Sequence, residues 1–198
     1  DLDMAHHILD MIERYKIRQR EQLMALTEGM VERETKRNDL KKWFELQDYP
    51  IEDTQADTLR DIAEKYPYDV IGHVSALVRE LNKSSTSKYK AMIARASTED
   101  NRARDNLMYH GAGTGRWSGK GIQFQNLTTG KIADMEAAVE EVMDQNLSLV
   151  IAEHDDPMTL FSGLVRGAIK APEGKELSVA DFSSIEARGI MWASGEQR

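Results

Sequence analysis

Near the end of the chain stands Glu176-Leu-Ser-Val-Ala-Asp181-Phe-Ser-Ser-Ile-Glu186-Ala-Arg188. A short apolar run, Leu177 to Ala180, leads straight into an aspartate. From Ser183 onward Ile185, Ile190 and Met191 recur at roughly helical spacing. The pattern predicts a strand, then an acid, then a helix. An aspartate at a strand end is held by the sheet and still faces solvent, as a metal-binding carboxylate must. The same letters have a structural reading: Ser183-x-x-Glu186 is a capping-box pattern, and Asp181 can prepare the helix start. The rest of the chain decides between the two.

Working outward, the turn Lys170-Ala-Pro-Glu-Gly174-Lys175 introduces this stretch, and a helix is expected over 157–169, with Leu160, Phe161, Leu164 and Val165 on its apolar face. Glu153-His154-Asp155-Asp156 has the composition of a metal cluster. Consecutive residues rarely converge on one ion, however, and Asp156-Pro157 is a good helix start, so the structural reading is preferred. Residues 131–146 form an amphipathic helix with an acidic outer face.

Between 111 and 127 the character changes: Gly111-Ala-Gly-Thr114-Gly115-Arg116-Trp117-Ser118-Gly119-Lys120-Gly121-Ile122-Gln123-Phe124-Gln125-Asn126-Leu127. The glycines do not make a Walker loop. Gly115 and Gly119 are separated by three residues rather than four, and Gly121 follows Lys120 where Ser or Thr is required. They are read instead as letting the backbone come close to something, with Arg116 projecting from the loop. Gln123, Gln125 and Asn126 supply amide donors and acceptors of the kind that read base edges. Just upstream, Arg102 to Tyr109 reads as a strand after a turn at 98–101.

The first ninety-odd residues are helical in pattern: one long helix over 4–28 stopped by Gly29, one over 39–47 capped by Asn38, one from Thr54 to about Lys65, and one from Tyr68. The Ser/Thr cluster at 84–87 kinks or restarts the last of these, which runs to Ala96. His6 and His7 are adjacent, point to different sides of their helix, and do not suit one metal ion.

Composition sets the outer bounds. The chain has 198 residues, 40% hydrophobic and 30% charged, enough for one substantial domain or two small ones. There is no cysteine, which excludes disulfides and thiolate metal sites. No apolar run approaches the roughly 20 residues that span a bilayer, so no membrane partner is expected. Net charge is −8, yet residues 83–131 hold nine Lys or Arg against three acids. A basic centre in an acidic chain suggests a local anionic partner. The first residue is Asp, and the chain reads as a piece of something longer.

In their order these features resemble the family A DNA polymerases, the group of bacterial DNA polymerase I and many phage replicases. Thr114-Gly-Arg116-Trp-Ser118 followed by Gln125-Asn126-Leu127 is similar to the family's T-G-R-x-S…Q-N segment. Val179-Ala-Asp181-Phe-Ser183-Ser-Ile185-Glu186-Ala-Arg188 is similar to its first catalytic palm motif, usually D-Y-S-Q-I-E-L-R. The resemblance covers about residues 70–196; the earlier helices resemble the family's thumb in general pattern only.

The resemblance implies a helix-rich α+β fold, with a helical thumb-like region over 1–97 and a partial palm with a small antiparallel sheet over 98–198. It implies that Asp181 binds two catalytic Mg2+ ions (Mn2+ as a substitute), with the Phe182 carbonyl as a further ligand. Glu186 would sit under the incoming sugar and exclude a 2′-hydroxyl, and Arg188 completes the motif. Arg116 would reach the primer-terminal minor groove, with Thr114, Gln123, Gln125 and Asn126 beside the duplex and Lys83, Lys88 and Lys90 as phosphate contacts. The implied partners are primer–template DNA, dNTP and the remainder of a polymerase chain, in a bacterial cytoplasm. Phe182 stands where the family has Tyr, and Ser184, Ala187, Trp117 and Gly119 also depart from the pattern. The 198 residues hold neither a nucleotide-gripping fingers helix nor the late palm His-Asp-Glu, so the piece by itself is expected to be inactive. Two other functions fit the residues: a non-catalytic DNA-binding module on a polymerase-derived scaffold, and a helical interaction protein with a solvated basic middle.

Overall fold

The structure is a computed structural model describing residues 1–83, 85–127, 132–144, 146–154, 156–178, 180 and 183–195. It is helix-rich, with a small two-stranded antiparallel sheet, as expected. The N-terminal helix α1 (Leu2–Leu26) is its spine. Asp1 caps it, accepting from the Met4 amide at 3.0 Å. Met4, Ala5, Ile8, Met11, Ile12 and Tyr15 form one buried stripe at helical spacing, and Leu23 is buried farther along. Beyond the helix end Gly29 adopts φ 81°, where a Cβ would be strained, and its amide bonds back to the Met24 carbonyl at 2.7 Å.

The two ends of α1 serve different cores. Leu23 joins α2 (Arg37–Leu46), α3 (Ala56–Lys65) and α4 (Val70–Leu81) around Leu40, Trp43, Phe44, Leu59, Ile62, Val74 and Val78. The N-terminal half packs with α5 (Ser85–Arg95), α6 (Met135–Asp144), α7 (Leu147–Glu153) and α8 (Pro157–Gly163), which runs on into a 3-10 turn, Leu164–Ala168. Of the kink or restart expected at 84–87, the restart is the one observed: α4 ends at Leu81 and α5 begins at Ser85. This larger core draws on both sides of residue 97: Tyr89 from α5 is fully buried and its hydroxyl donates to the Phe161 carbonyl of α8 at 2.6 Å. Each fully buried Leu, Ile or Phe side chain in such a core is worth about 1.5–3 kcal/mol in transfer free energy.

Where the cores adjoin, Tyr15 donates to Glu80 of α4 at 2.7 Å, and Lys83 pairs with Asp156, the residue that caps α8. Asp156 accepts from the Thr159 amide at 3.0 Å and its hydroxyl at 2.8 Å, so its role as a helix start is the observed one. Burial pushes the Tyr15 phenol and the Glu80 carboxyl up from their ordinary values. No helix among the described residues is long and apolar enough to cross a membrane.

Four local expectations need correction. The helix expected over 39–47 with Asn38 as its cap runs Arg37–Leu46, with Lys36 in the cap position. The helix placed from Thr54 begins at Ala56, because the Asp53 carboxylate rather than Thr54 accepts there, from the Gln55 amide at 2.9 Å and the Thr58 hydroxyl at 2.7 Å. The strand over 102–109 shrinks to β1 (Leu107–Met108), paired with β2 (Ser118–Gly119), plus a single bridge between Ala96 and Ala103. Left-handed residues at Asn101 and Asp105 bend the chain out of extension, and the Asn106 carboxamide nitrogen donates to the Ala103 and Arg104 carbonyls across the bend. Finally, none of the described residues of Leu177 to Ala180 is in a strand. An extended run without a neighbouring strand has no ladder to satisfy its backbone.

Candidate nucleic-acid interface

The segment after β2 shows its polar residues because apolar residues on either side tie it down. Ile122 and Leu127 are buried in the larger core, while Phe124, Gln125 and Asn126 between them form an exposed 3-10 turn. Lys88 donates to the Ile122 carbonyl at 3.0 Å and Arg166 to the Leu127 carbonyl at 3.2 Å, so both anchors are also held by their backbone. The Gln123 carboxamide accepts from Asn126 at 3.3 Å, and Gln123 itself is left-handed, φ 54°. The close approach expected of the glycines is made to the chain's own side chains. A Cβ on Gly119 would collide with the Gln125 carboxamide, and one on Gly121 with the Arg95 guanidinium.

On the other side of β2, a turn closed by Gly115 N–H to Ala112 O at 2.9 Å presents Arg116. Its guanidinium pairs with Glu186, 70 residues away in the chain. Both side chains are about 70% exposed, at 70% and 71%. A pair this exposed contributes about 0–1 kcal/mol. It marks a juxtaposition more than it holds one. Glu186 lies in the first turn of α9 (Ile185–Ser194), where a carboxylate complements the helix dipole. The capping box does not form: Ser184 occupies the cap position, left-handed and without a side-chain cap bond, and the Glu186 carboxylate goes to Arg116 instead.

The site residues named from sequence fall into four sets. Arg116 and Glu186 meet; Gln123, Gln125 and Asn126 share the 3-10 turn and its entry, with Thr114 exposed in the adjoining loop and Arg188 exposed on α9. Of the three lysines, Lys88 touches this segment through Ile122, Lys90 pairs with Glu13 of α1 at 2.9 Å, and Lys83 pairs with Asp156. Asp181 and Phe182 lie outside the described residues. Basic residues nearby are partly balanced: Arg102 and Arg104 both pair with Asp100, and the hydrogen bond from Arg104 holds the Asp100 carboxyl down at about 2.

Sequence reasoning missed one pair. Tyr109 and Trp117 face each other across the hairpin with ring centroids 5.2 Å apart in an edge-on arrangement. The signal was the hairpin register, which the overlong strand expectation concealed.

No family model matches the chain, and no solved structure matches it. A DNA polymerase of Bacillus phage SP02 is 36% identical to it over 159 residues, 80% of this chain. The chain spans 24% of that relative's length. Over four-fifths of its own length, then, this chain is similar to a segment that makes up about a quarter of a phage DNA polymerase.

Proposed function

We propose that the chain is the thumb-like region and first part of the palm of a family A DNA polymerase, and that it binds primer–template DNA. In the parent enzyme it would take part in template-directed transfer of a nucleotidyl group from dNTP to a primer 3′-end. One observation carries this reading. In a chain 36% identical to a phage DNA polymerase, the two segments that resemble the family's motifs meet through Arg116 and Glu186.

The chemistry suits a duplex read without regard to sequence. In the minor groove every Watson–Crick pair presents the purine N3 and pyrimidine O2 acceptors, G·C adding the N2 donor, so a projecting guanidinium at Arg116 can grip any correct pair. Gln125 and Asn126, exposed in the 3-10 turn, add carboxamide donors and acceptors. Glu186, beside Arg116, would then lie where the incoming sugar meets the primer end.

The described residues do not by themselves fit a metal site. Among them no three His, Asp or Glu side chains converge on a point, Glu186 pairs with Arg116, and Asp156 pairs with Lys83. Mg2+ therefore belongs to this reading only through Asp181 and the rest of a polymerase chain.

The test has two arms. Arg116→Ala combined with Gln125→Ala and Asn126→Ala is expected to weaken primer–template binding at least tenfold in fluorescence anisotropy, with the helical circular dichroism unchanged. Unaltered binding by this variant contradicts the reading. In a primer-extension assay with Mg2+ and dNTP the 198-residue chain is expected to add no nucleotide; incorporation would show that one motif carboxylate suffices.

A further inference from the structure

The hairpin carries an apolar surface that the family resemblance does not use. Side chains alternate along a strand. With Leu107 opposite Gly119 and Met108 opposite Ser118, the next pair outward is Tyr109 and Trp117, on the face shared by Leu107. At position 119 there is no side chain, and the Gln125 carboxamide fills the space. The result is a row of Gln125, Leu107, Tyr109 and Trp117. Its aromatic members are strongly exposed, Tyr109 at 74% and Trp117 at 61%. An exposed apolar patch of this kind marks an interaction surface.

The surroundings say what kind of partner. Residues 106–127 contain Arg116 and Lys120 and not one Asp or Glu. The edge-on contact leaves ring surface of Trp117 free for a flat partner, and Tyr109 holds the indole in place at little conformational cost. A flat partner carried on an anionic chain is a nucleobase.

We propose that Trp117, positioned by Tyr109, is a stacking platform for an unpaired base of the bound DNA, contributed by the single strand that continues beyond the duplex. This rests on the duplex-binding reading and adds a second, single-strand contact next to it. Stacking of this kind tolerates any base, because every base has a π face, and aromatic platforms beside cationic grooves are the general solution for single strands.

The test measures, by fluorescence anisotropy, how much an overhang adds to affinity for a given protein. Three DNAs are used: a blunt duplex, the same duplex with a five-nucleotide thymine overhang, and the same with an abasic overhang of equal charge. For the unaltered chain the thymine overhang is expected to improve affinity about tenfold over the blunt duplex, as one stacked base would. The abasic overhang is expected to recover only a small part of that. In Trp117→Ala the gain falls to less than twofold; in Trp117→Phe most of it returns. Quenching of indole emission by the thymine overhang in a Trp192→Phe background, where Trp43 stays buried, supplies an independent reading. An equal gain from abasic and thymine overhangs, or a gain that survives Trp117→Ala, overturns the proposal while leaving duplex binding intact. Failure of the unaltered chain to bind even the blunt duplex overturns both readings together.

Discussion

The helices that close over α1 and the segment that carries Glu186 are built on opposite principles. In the first region side chains such as Phe44, Tyr89 and Phe161 are fully buried, and polar groups that enter find partners, as Arg20 and Glu34 do. In the second, Leu177, Ile185, Ile190 and Trp192 are exposed, and a surface pair, Glu186 with Arg116, ties α9 to the rest. The helical body is stabilised by what it removes from water. The motif segment keeps its chemistry, and much of its apolar surface, in view. In the polymerase reading that surface is what the remainder of the parent chain and the DNA would cover.

The comparison can be broken at its strong end first. Phe161→Ala is expected to destabilise the chain by about 3–5 kcal/mol, measured by urea denaturation, because it empties the centre of the larger core. A loss below 1 kcal/mol would mean that this core is not packed as described. Next comes the pair between Arg20 and Glu34. Arg20 binds the Glu34 carboxylate with two hydrogen bonds, 2.9 and 2.6 Å, and Glu34 is only 7% exposed. Arg20→Met is expected to cost about 2–3 kcal/mol, somewhat under the value for a fully buried pair since Arg20 is itself partly exposed.

The same pair sets an acid limit. Burial pushes the Glu34 carboxyl up, but the Arg20 hydrogen bond, a backbone amide and the charges of Arg20 and Lys16 outweigh it, and the net shift is downward. A depressed carboxyl stabilises the fold above its unfolded pKa, near the ordinary carboxylate value, and that contribution is lost as pH falls through the folded pKa. Stability measured by denaturation between pH 6 and pH 3 is therefore expected to fall, and Glu34→Gln to flatten part of that fall. An unchanged acid slope in Glu34→Gln would remove the pair from the account.

At the weak end the effects shrink. Glu186→Gln is expected to leave stability within about 0.5 kcal/mol, as for a surface pair, and to improve primer–template affinity two- to threefold by releasing Arg116 and removing a negative charge. Weaker binding would show that the carboxylate orients Arg116 rather than competing for it. Smallest of all, Trp192→Ala is expected to change stability by less than about 0.5 kcal/mol, since its ring is 85% exposed. A larger loss would show that α9 is packed after all.

The same contrast governs what could be read from residues alone. Helices were legible wherever a 3.6-residue apolar stripe met a core, as in α1, α4 and α8, because burial and periodicity are the same fact. Strands were expected too freely at 102–109 and at the described residues of 177–180, because alternation states which faces are apolar but not whether a neighbour exists to complete the ladder. Of the glycines read as close-approach positions, Gly119 and Gly121 are such, while Gly113 faces open space; the partners, Gln125 and Arg95, follow from tertiary placement. Arg116, Gln125, Asn126 and Glu186 were named from their motifs; that Arg116 and Glu186 touch, and that Trp117 faces Tyr109, depended on hairpin register and on a 70-residue separation that no local pattern encodes.

If the exposed, basic middle of this chain holds DNA, the binding must depend on salt. Primer–template affinity would be measured by anisotropy from 50 to 200 mM NaCl. With about three phosphates neutralised, log K is expected to fall against log salt with a slope near −3, and Lys120→Ala is expected to reduce that slope by about one. Absence of binding at 50 mM NaCl, or an affinity indifferent to salt, would contradict the account and favour a helical interaction protein whose basic middle is merely solvated.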